Sequence, residues 1–288
     1  MRSQHTSEAG NGVAVGIVHN RNAARNTYLF PHVEALIEAL RTHHPVESLE
    51  ACAQPDVQPH SRRMALLRDF LYFKIDREWS RYRLLPVKPS IRAWRAFVTK
   101  SVKKYFSSGE PACRWMRNSH IETIVTDKHI RIWQQFLDSD MRHLVVFEDD
   151  AVFKDDSIQR FGALHDRLVK MPPEVPIYID LAGGCTFEQL AVSKLESRHE
   201  GGFHHFRKPT TNTACAYMIN RATAKLFVHH IVRRPWLRLI GIDWMMNKLF
   251  MLSSFEDDQA YCAHADPTLF QHGSTTGHYI AWQAPQQT

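Results

Sequence analysis

His143-Leu144-Val145-Val146-Phe147-Glu148-Asp149-Asp150-Ala151-Val152-Phe153 runs five residues of apolar or half-apolar character into three carboxylates, and an apolar triplet follows. A short continuous apolar run bounded by polar residues reads as a buried strand of a parallel sheet. Its acids then stand at the strand's carboxyl end, where open α/β sheets bind their ligands. Adjacent carboxylates repel one another, and burying them unpaired is costly. A positive partner is therefore expected. A divalent cation, Mg²⁺ or Mn²⁺, answers that need, since such ions bridge carboxylates to a diphosphate. The plainer alternative is a solvated acidic turn. Lys154-Asp155-Asp156 makes a second charged turn, and Ser157 to Met171 reads as a helix.

Upstream, Val13 to Val18 reads as a first strand ending in His19-Asn20-Arg21-Asn22. A polar, arginine-bearing loop there suits a phosphate or a base, so His19, Asn20 and the nearby Arg25 are candidate cofactor contacts. Pro31 to Thr42 is expected to be a helix, with Pro31 near its start and Val33, Leu36, Ile37 and Leu40 on one face. Residues 43–60 read as a loop, and Ser119 to Leu137 resumes helical spacing. Beyond the acids, Val175 to Leu181 reads as a strand ending at Gly183-Gly184, which either lets the backbone approach a ligand or simply turns. Residues 188–212 are polar, and His199, His204 and His205 lack the spacing of a helical metal site. Thr213 to Ile219 reads as a strand, with Asn220 capping the helix after it. Asp243 is one acid in the apolar run Ile240 to Met246, and needs a cap, an ion pair or a functional role. Tyr261 to His272 closes the fold.

The chain has 288 residues, room for one large α/β domain or two small ones. It lacks an apolar run of about eighteen residues, and residues 1–12 are polar, read as disordered and carry no secretory signal. Five scattered cysteines without a CxxC pair read as reduced thiols of a cytosolic protein. Net charge is +6, which suits an anionic partner, while no nucleic-acid-binding motif appears. Between residues 61 and 104 thirteen bases face three acids, and aromatics interleave. Such a helical segment suits an anionic bilayer or a charged acceptor groove, with a solvated basic insertion as the alternative.

Several patches together resemble glycosyltransferase family 25. His129-Ile130-Arg131-Ile132-Trp133 is similar to its "SHxxxW" helix, and Leu144 to Val152 to its "LxLEDD" strand. Thr213 to Asn220 resembles "TxAYxIS", Ile242-Asp243-Trp244 resembles "xDW", and Pro267 to Gln271 with Ser274 resembles "PxLxxQ…S". The order matches over roughly residues 115–280. Asp127-Lys128 departs from the family's small residue and Ser, and Val18-His19-Asn20 from its "INL".

The resemblance implies an α/β, GT-A-like fold with a mainly parallel sheet flanked by helices. Residues 13–288 would form one domain, with residues 61–110 as a basic helical insertion. It implies an inverting, metal-dependent transferase moving a hexose, by default from UDP, to a glycan or glycolipid acceptor of the lipooligosaccharide or surface-polysaccharide type. The enzyme would be cytoplasmic, peripheral at the membrane's inner face, with no nucleic-acid partner. Asp150 and Glu148 are expected at Mn²⁺ or Mg²⁺, with His272 as a further ligand. Glu148, Asp149, His19, Asn20, Arg25, Gly183 and Gly184 are the donor-contact candidates, although strand alternation turns Asp149 to the opposite face. Asp243 is the candidate base, and Trp244 would stack on a sugar. The competing readings are a metal-dependent phosphoryl-transfer enzyme or hydrolase, with Asp155-Asp156 or Asp257-Asp258 as a second acid pair, and a non-catalytic polyanion- or membrane-binding module.

Overall fold

The computed structural model describes residues 11–20, 22–52, 58–85, 90–190, 197–255 and 259–279. The expected disorder of the first ten residues, Arg21, and the acid pair Asp257-Asp258 lie outside these. The acidic stretch forms β3 (His143–Glu148), a turn at Asp149-Asp150, and β4 (Ala151–Phe153). Every residue of β3 from His143 to Phe147 is buried. Leu144 and Val146 enter one core, Val145 and Phe147 the other. A strand with helices on both faces needs this unbroken apolar run, because neither face meets water.

Around β3 the sheet holds β1 (Val13–His19), β2 (Val46–Cys52), β5 (Ile177–Asp180), β6 (Ser197–Glu200), β7 (Phe203–Phe206), β8 (Ala216–Asn220) and β9 (Tyr261–Ala265). Its order is β2-β1-β3-β8-β5-β9-β7-β6, and β4 pairs separately with β10 (Phe270–His272). The expected mainly parallel sheet is in fact mixed. β1, β2 and β3 run parallel, as do β5 and β9, but β8 lies antiparallel between β3 and β5. Apolar content does not encode strand direction, so an antiparallel strand buried on both sides reads like its neighbours.

One face is covered by α1 (Ala23–Arg41) and α5 (Ser157–Leu168). The other is covered by α4 (Gly109–Asp138), α6 (Arg221–Arg233) and α7 (Ile242–Leu252), around Trp133, Phe136, Phe227 and Phe250. α2 (Arg62–Tyr82) and α3 (Ser90–Tyr105) stand outside this layer, so the basic segment is helical as expected.

Several boundaries move. α1 begins eight residues before Pro31, because Asn22 caps it by accepting from the Arg25 amide at 3.2 Å. Pro31 therefore sits inside the helix and gives it no start signal. β2 replaces the expected loop; only Leu49 and Ala51 are buried in this edge strand, too few to show a pattern. α4 begins at Gly109, ten residues earlier than its apolar stripe. Residues 197–206 form a hairpin turned by Gly201-Gly202, both at positive φ.

Buried histidines give the fold a pH signature. His143 and His165 are fully buried with ring nitrogens 3.4 Å apart, and His44 packs edge-on against His165. Burial, reinforced by the neighbouring rings, holds His143 at about 3 and His165 at about 4. Both stay neutral in the native state while the unfolded chain takes up protons below about pH 6.5, so each destabilises the fold as pH falls toward 4. His143→Leu is expected to gain ~1–2 kcal/mol on wild type between pH 7 and pH 5, read from urea midpoints. An unchanged gap at the two pH values would rule this out.

Candidate active site

The carboxyl edge of β3 opens onto a cleft of about 1470 Å³. The β1–α1 turn and the β3–β4 turn form one wall, and α2, α4 and the start of α7 form the other. Glu148, Asp149, Asp150, His19, Asn20, Arg25, Asp243 and His272 all line it.

The pairing of β4 with β10 sets His272 opposite Ala151. His272 Nδ1 thereby reaches 3.5 Å from Asp150 Oδ2, which also accepts a 2.6 Å hydrogen bond from Ser274 Oγ. Asp150 Oδ1 and His272 Nδ1 are both buried without a hydrogen-bond partner. The ligand atoms of Asp150, His272 and Cys215 lie within 4.8 Å of one another. Orphaned buried polar atoms need an account, and here the donor set fits a divalent cation. A carboxylate oxygen and an imidazole nitrogen are both ligands that a divalent ion accepts. Burial and the acids beside it push the Cys215 thiol up.

Glu148 stands outside that group. Its Oε1 accepts from His129 Nε2 at 2.9 Å. Trp133 Nε1 donates to the Tyr217 hydroxyl at 2.9 Å, and that hydroxyl lies 2.8 Å from His129 Nδ1. The consistent proton assignment has Tyr217 donating to Nδ1, which leaves the Nε2 proton for Glu148. Burial holds His129 near 3, hence neutral. Burial and the repulsion of Asp150 push Glu148 up to about 8, while His272 and Lys128 pull it down. Glu148 thus stores charge repulsion that a cation or a cationic side chain would relieve.

Asp149 does not turn away from the cleft. It lies in the turn beyond β3, where strand alternation no longer applies, and it pairs with Arg25 Nη1 at 2.7 Å. Arg25 also lies over the Tyr279 ring. The His19 side chain is engaged within the wall, with Nε2 2.7 Å from Glu50 and Nδ1 3.0 Å from Asn26. Its carbonyl accepts from Lys128 Nζ at 2.6 Å. Lys128, where the sequence departs from the family pattern, is thus a buried cation at the carboxyl end of β1.

Gly183 and Gly184 do not line the cleft. Gly183, at φ +62°, donates to Asp180 Oδ1 at 2.9 Å, and Gly184 donates to Asn212 Oδ1 at 3.0 Å. A side chain on Gly184 would press on Thr213. The pair makes a tight turn beneath Thr213, which itself lines the cleft.

Asp243 lies in the first turn of α7, whose N-cap is Gly241 and has no side-chain cap. Its Oδ1 is buried and unpartnered, so it does not cap the helix. Burial, then repulsion by Glu148, Glu122 and Asp150, pushes it up to about 7. A network holds it there: Glu122 Oε2 accepts from Arg68 and from the Tyr72 hydroxyl, which in turn accepts from the Gly241 amide. Trp244 packs edge-on against Tyr72 and Trp79 while still lining the cleft. This positioning set was not singled out from the sequence, because Arg68 and Tyr72 merge with the basic aromatic segment.

Asp155 and Asp156 are exposed and do not line the cleft, so they supply no second acid pair there. His199, His204 and Asp266 form a separate group outside it, with His204 Nε2 2.8 Å from Asp266 Oδ2.

The model of glycosyltransferase family 25 (LPS biosynthesis protein) matches residues 126–246. That span runs from the second half of α4 into α7, and it contains Glu148, Asp149, Asp150 and Asp243. α2, α3 and His272 fall outside it. No curated protein matches the chain. The matched span is less than half of the chain, so the likeness is to that family over these residues.

Proposed function

We propose that this chain, which is similar to glycosyltransferase family 25 over residues 126–246, is a glycosyltransferase that moves a hexose from a nucleotide sugar to a hydroxyl of a glycan or glycolipid with inversion at the anomeric carbon. The observation that carries this reading is the buried, unpartnered Oδ1 of Asp243 in the same cleft as Asp150, His272 and Glu148. The GT-A-like reading of the fold rests on acids at the carboxyl edge of an inner strand of a helix-covered sheet.

Each wall then has a task. At the β1–α1 turn, Asn20, Asn22 and Arg25 sit beside the N-terminus of a 19-residue helix, where amides and helix dipole favour an anion. Arg25 and Lys128 supply positive charge for a donor diphosphate, and the asparagines supply neutral amide donors. Asp150 and His272 would hold a divalent ion, whose chemistry is to neutralise charge developing on the leaving nucleotide. Asp243 accepts the proton of the acceptor hydroxyl. A carboxylate at about 7 is half ionised at neutral pH and basic enough to take that proton. Arg68, Tyr72 and Glu122 hold the α7 N-terminus and so aim Asp243.

A sugar nucleotide and Mn²⁺ together are expected to stabilise the protein more than either alone. At a donor concentration about 100 times Kd the gain is ~2.7 kcal/mol, read as a thermal shift across common UDP-, GDP- and CMP-sugars. Stabilisation by Mn²⁺ and inorganic phosphate equal to that by every sugar nucleotide would overturn the transferase reading in favour of phosphoryl transfer.

A further inference from the structure

We infer that the outer face of α2 and α3 docks on an anionic bilayer. Among the described residues, eight of the nine large apolar side chains left exposed lie between Leu67 and Phe106, and Val232 is the ninth. Exposed apolar surface concentrated on one layer marks an interaction site, whereas scattered single residues do not. On α3 the exposed residues Ile91, Trp94, Val98 and Val102 recur at three- and four-residue steps, which makes one stripe along the helix. The stripe continues onto α2 through Leu67 and Phe70, and a groove of about 620 Å³ runs between the two helices. The other faces of these side chains are not wasted. Phe73 stacks on Phe97 and meets Trp94, which packs the two helices against each other beneath the exposed surface.

Charge decides the occupant. α3 carries Arg92, Arg95, Lys100, Lys103 and Lys104 and no acid. Among the described residues, Lys104 pairs with Asp69 at 2.7 Å and both line the cleft, while Arg92, Arg95, Lys100 and Lys103 are exposed. A second copy of the chain docked face to face would set these bases against one another. A neutral protein partner would leave them unused. An anionic bilayer accepts both features, with apolar residues entering the acyl boundary and bases resting among the headgroups. No helix among the described residues is long and apolar enough to cross a membrane, so the contact lies in the plane of the interface. The inference does not depend on the transferase reading, because none of the stripe's residues lines the cleft.

Flotation of the full-length protein with vesicles tests it. Binding is expected to phosphatidylcholine vesicles carrying phosphatidylglycerol, to be weak on phosphatidylcholine alone, and to fall as salt rises. Arg95→Ala is expected to weaken partition by about fivefold, near 1 kcal/mol per base. Ile91→Glu and Val98→Glu are each expected to weaken it by tenfold or more, from about 1.5–3 kcal/mol per lost apolar side chain. Ile91 is 83% exposed, so that variant folds as wild type does, as circular dichroism will check. Equal binding to neutral and anionic vesicles, or unchanged binding by both Glu variants, overturns the inference. So does self-association in solution that Ile91→Glu abolishes, since the face would then be covered by a second copy.

Discussion

Asp243→Asn is expected to lower turnover by about 100- to 10,000-fold, the usual contribution of a general base, and at the same time to stabilise the protein. The two effects have one cause. Asp243 Oδ1 is buried without a partner and is repelled by Glu148, Glu122 and Asp150. The native carboxyl titrates near 7, far above its ordinary value of 3.8. Ionisation therefore favours the unfolded chain as pH rises from about 4 to about 7, and above that the cost is constant. Asparagine cannot ionise, so the variant gains on wild type over the same interval. A gain of ~1–3 kcal/mol at pH 8 is expected, allowing for partial solvent contact of the residue. The wild-type kcat/KM is expected to rise with pH through about 7 as the base ionises. Donor affinity, measured by the thermal shift with sugar nucleotide and Mn²⁺, is expected to be unchanged. Lost turnover with lost donor binding would move Asp243 to the donor site. Lost turnover with lower stability would make it a structural residue.

How far this site could be read from the chain depends on what each residue's neighbours are. The acids at the end of β3 and in the turn after it were legible because burial on both faces forces a continuous apolar run, and the run ends where the acids begin. Asn220 was legible as a cap because capping is local, and its side chain does accept from the Thr223 amide at 3.0 Å. Contacts between distant segments left no such trace. Nothing near Glu148 in the chain announces that its carboxylate is engaged by His129, nineteen positions earlier, and through it by Tyr217 and Trp133. Cys215 joins Asp150 and His272 only because β8 lies beside β3 and β10 reaches β4. The hairpin at residues 197–206 did carry a local signal, Gly201-Gly202 between two short runs, which the surrounding polar residues obscured. Gly183-Gly184 carried a similar signal that admitted two readings, and the amides are taken up by Asp180 and Asn212. In each case the chemistry of the residue was visible and its partner was not.

Asp150→Ala is expected to remove both the Mn²⁺-dependent thermal shift and at least about 100-fold of turnover, the scale of losing one preorganised electrostatic contact. Asp150 is the meeting point of the site: Ser274 donates to one oxygen, the other oxygen is orphaned, and His272 Nδ1 faces the carboxylate, itself orphaned. Removing the carboxylate leaves His272 with no neighbouring acid in the ligand group, because Glu148 is held by His129. The fold is expected to survive. Repulsion from Asp150 is, after burial, the largest influence raising Glu148, so the variant's Glu148 moves down toward its ordinary range. That relief offsets the lost Ser274 hydrogen bond, which is worth ~1.5–3 kcal/mol when the acceptor is charged. Asp150→Asn separates the two contributions: it keeps an acceptor for Ser274 and loses only the charge. If charge at this position serves a cation, Asn and Ala lose the Mn²⁺ shift alike while Asn retains more of the metal-free stability. If either variant keeps the full Mn²⁺ shift and wild-type turnover, or if chelator leaves wild-type turnover untouched, the acids of the β3–β4 turn do not hold a metal. Glu148, Asp149 and Asp150 would then be a charged rim balanced by Arg25 and Lys128 alone.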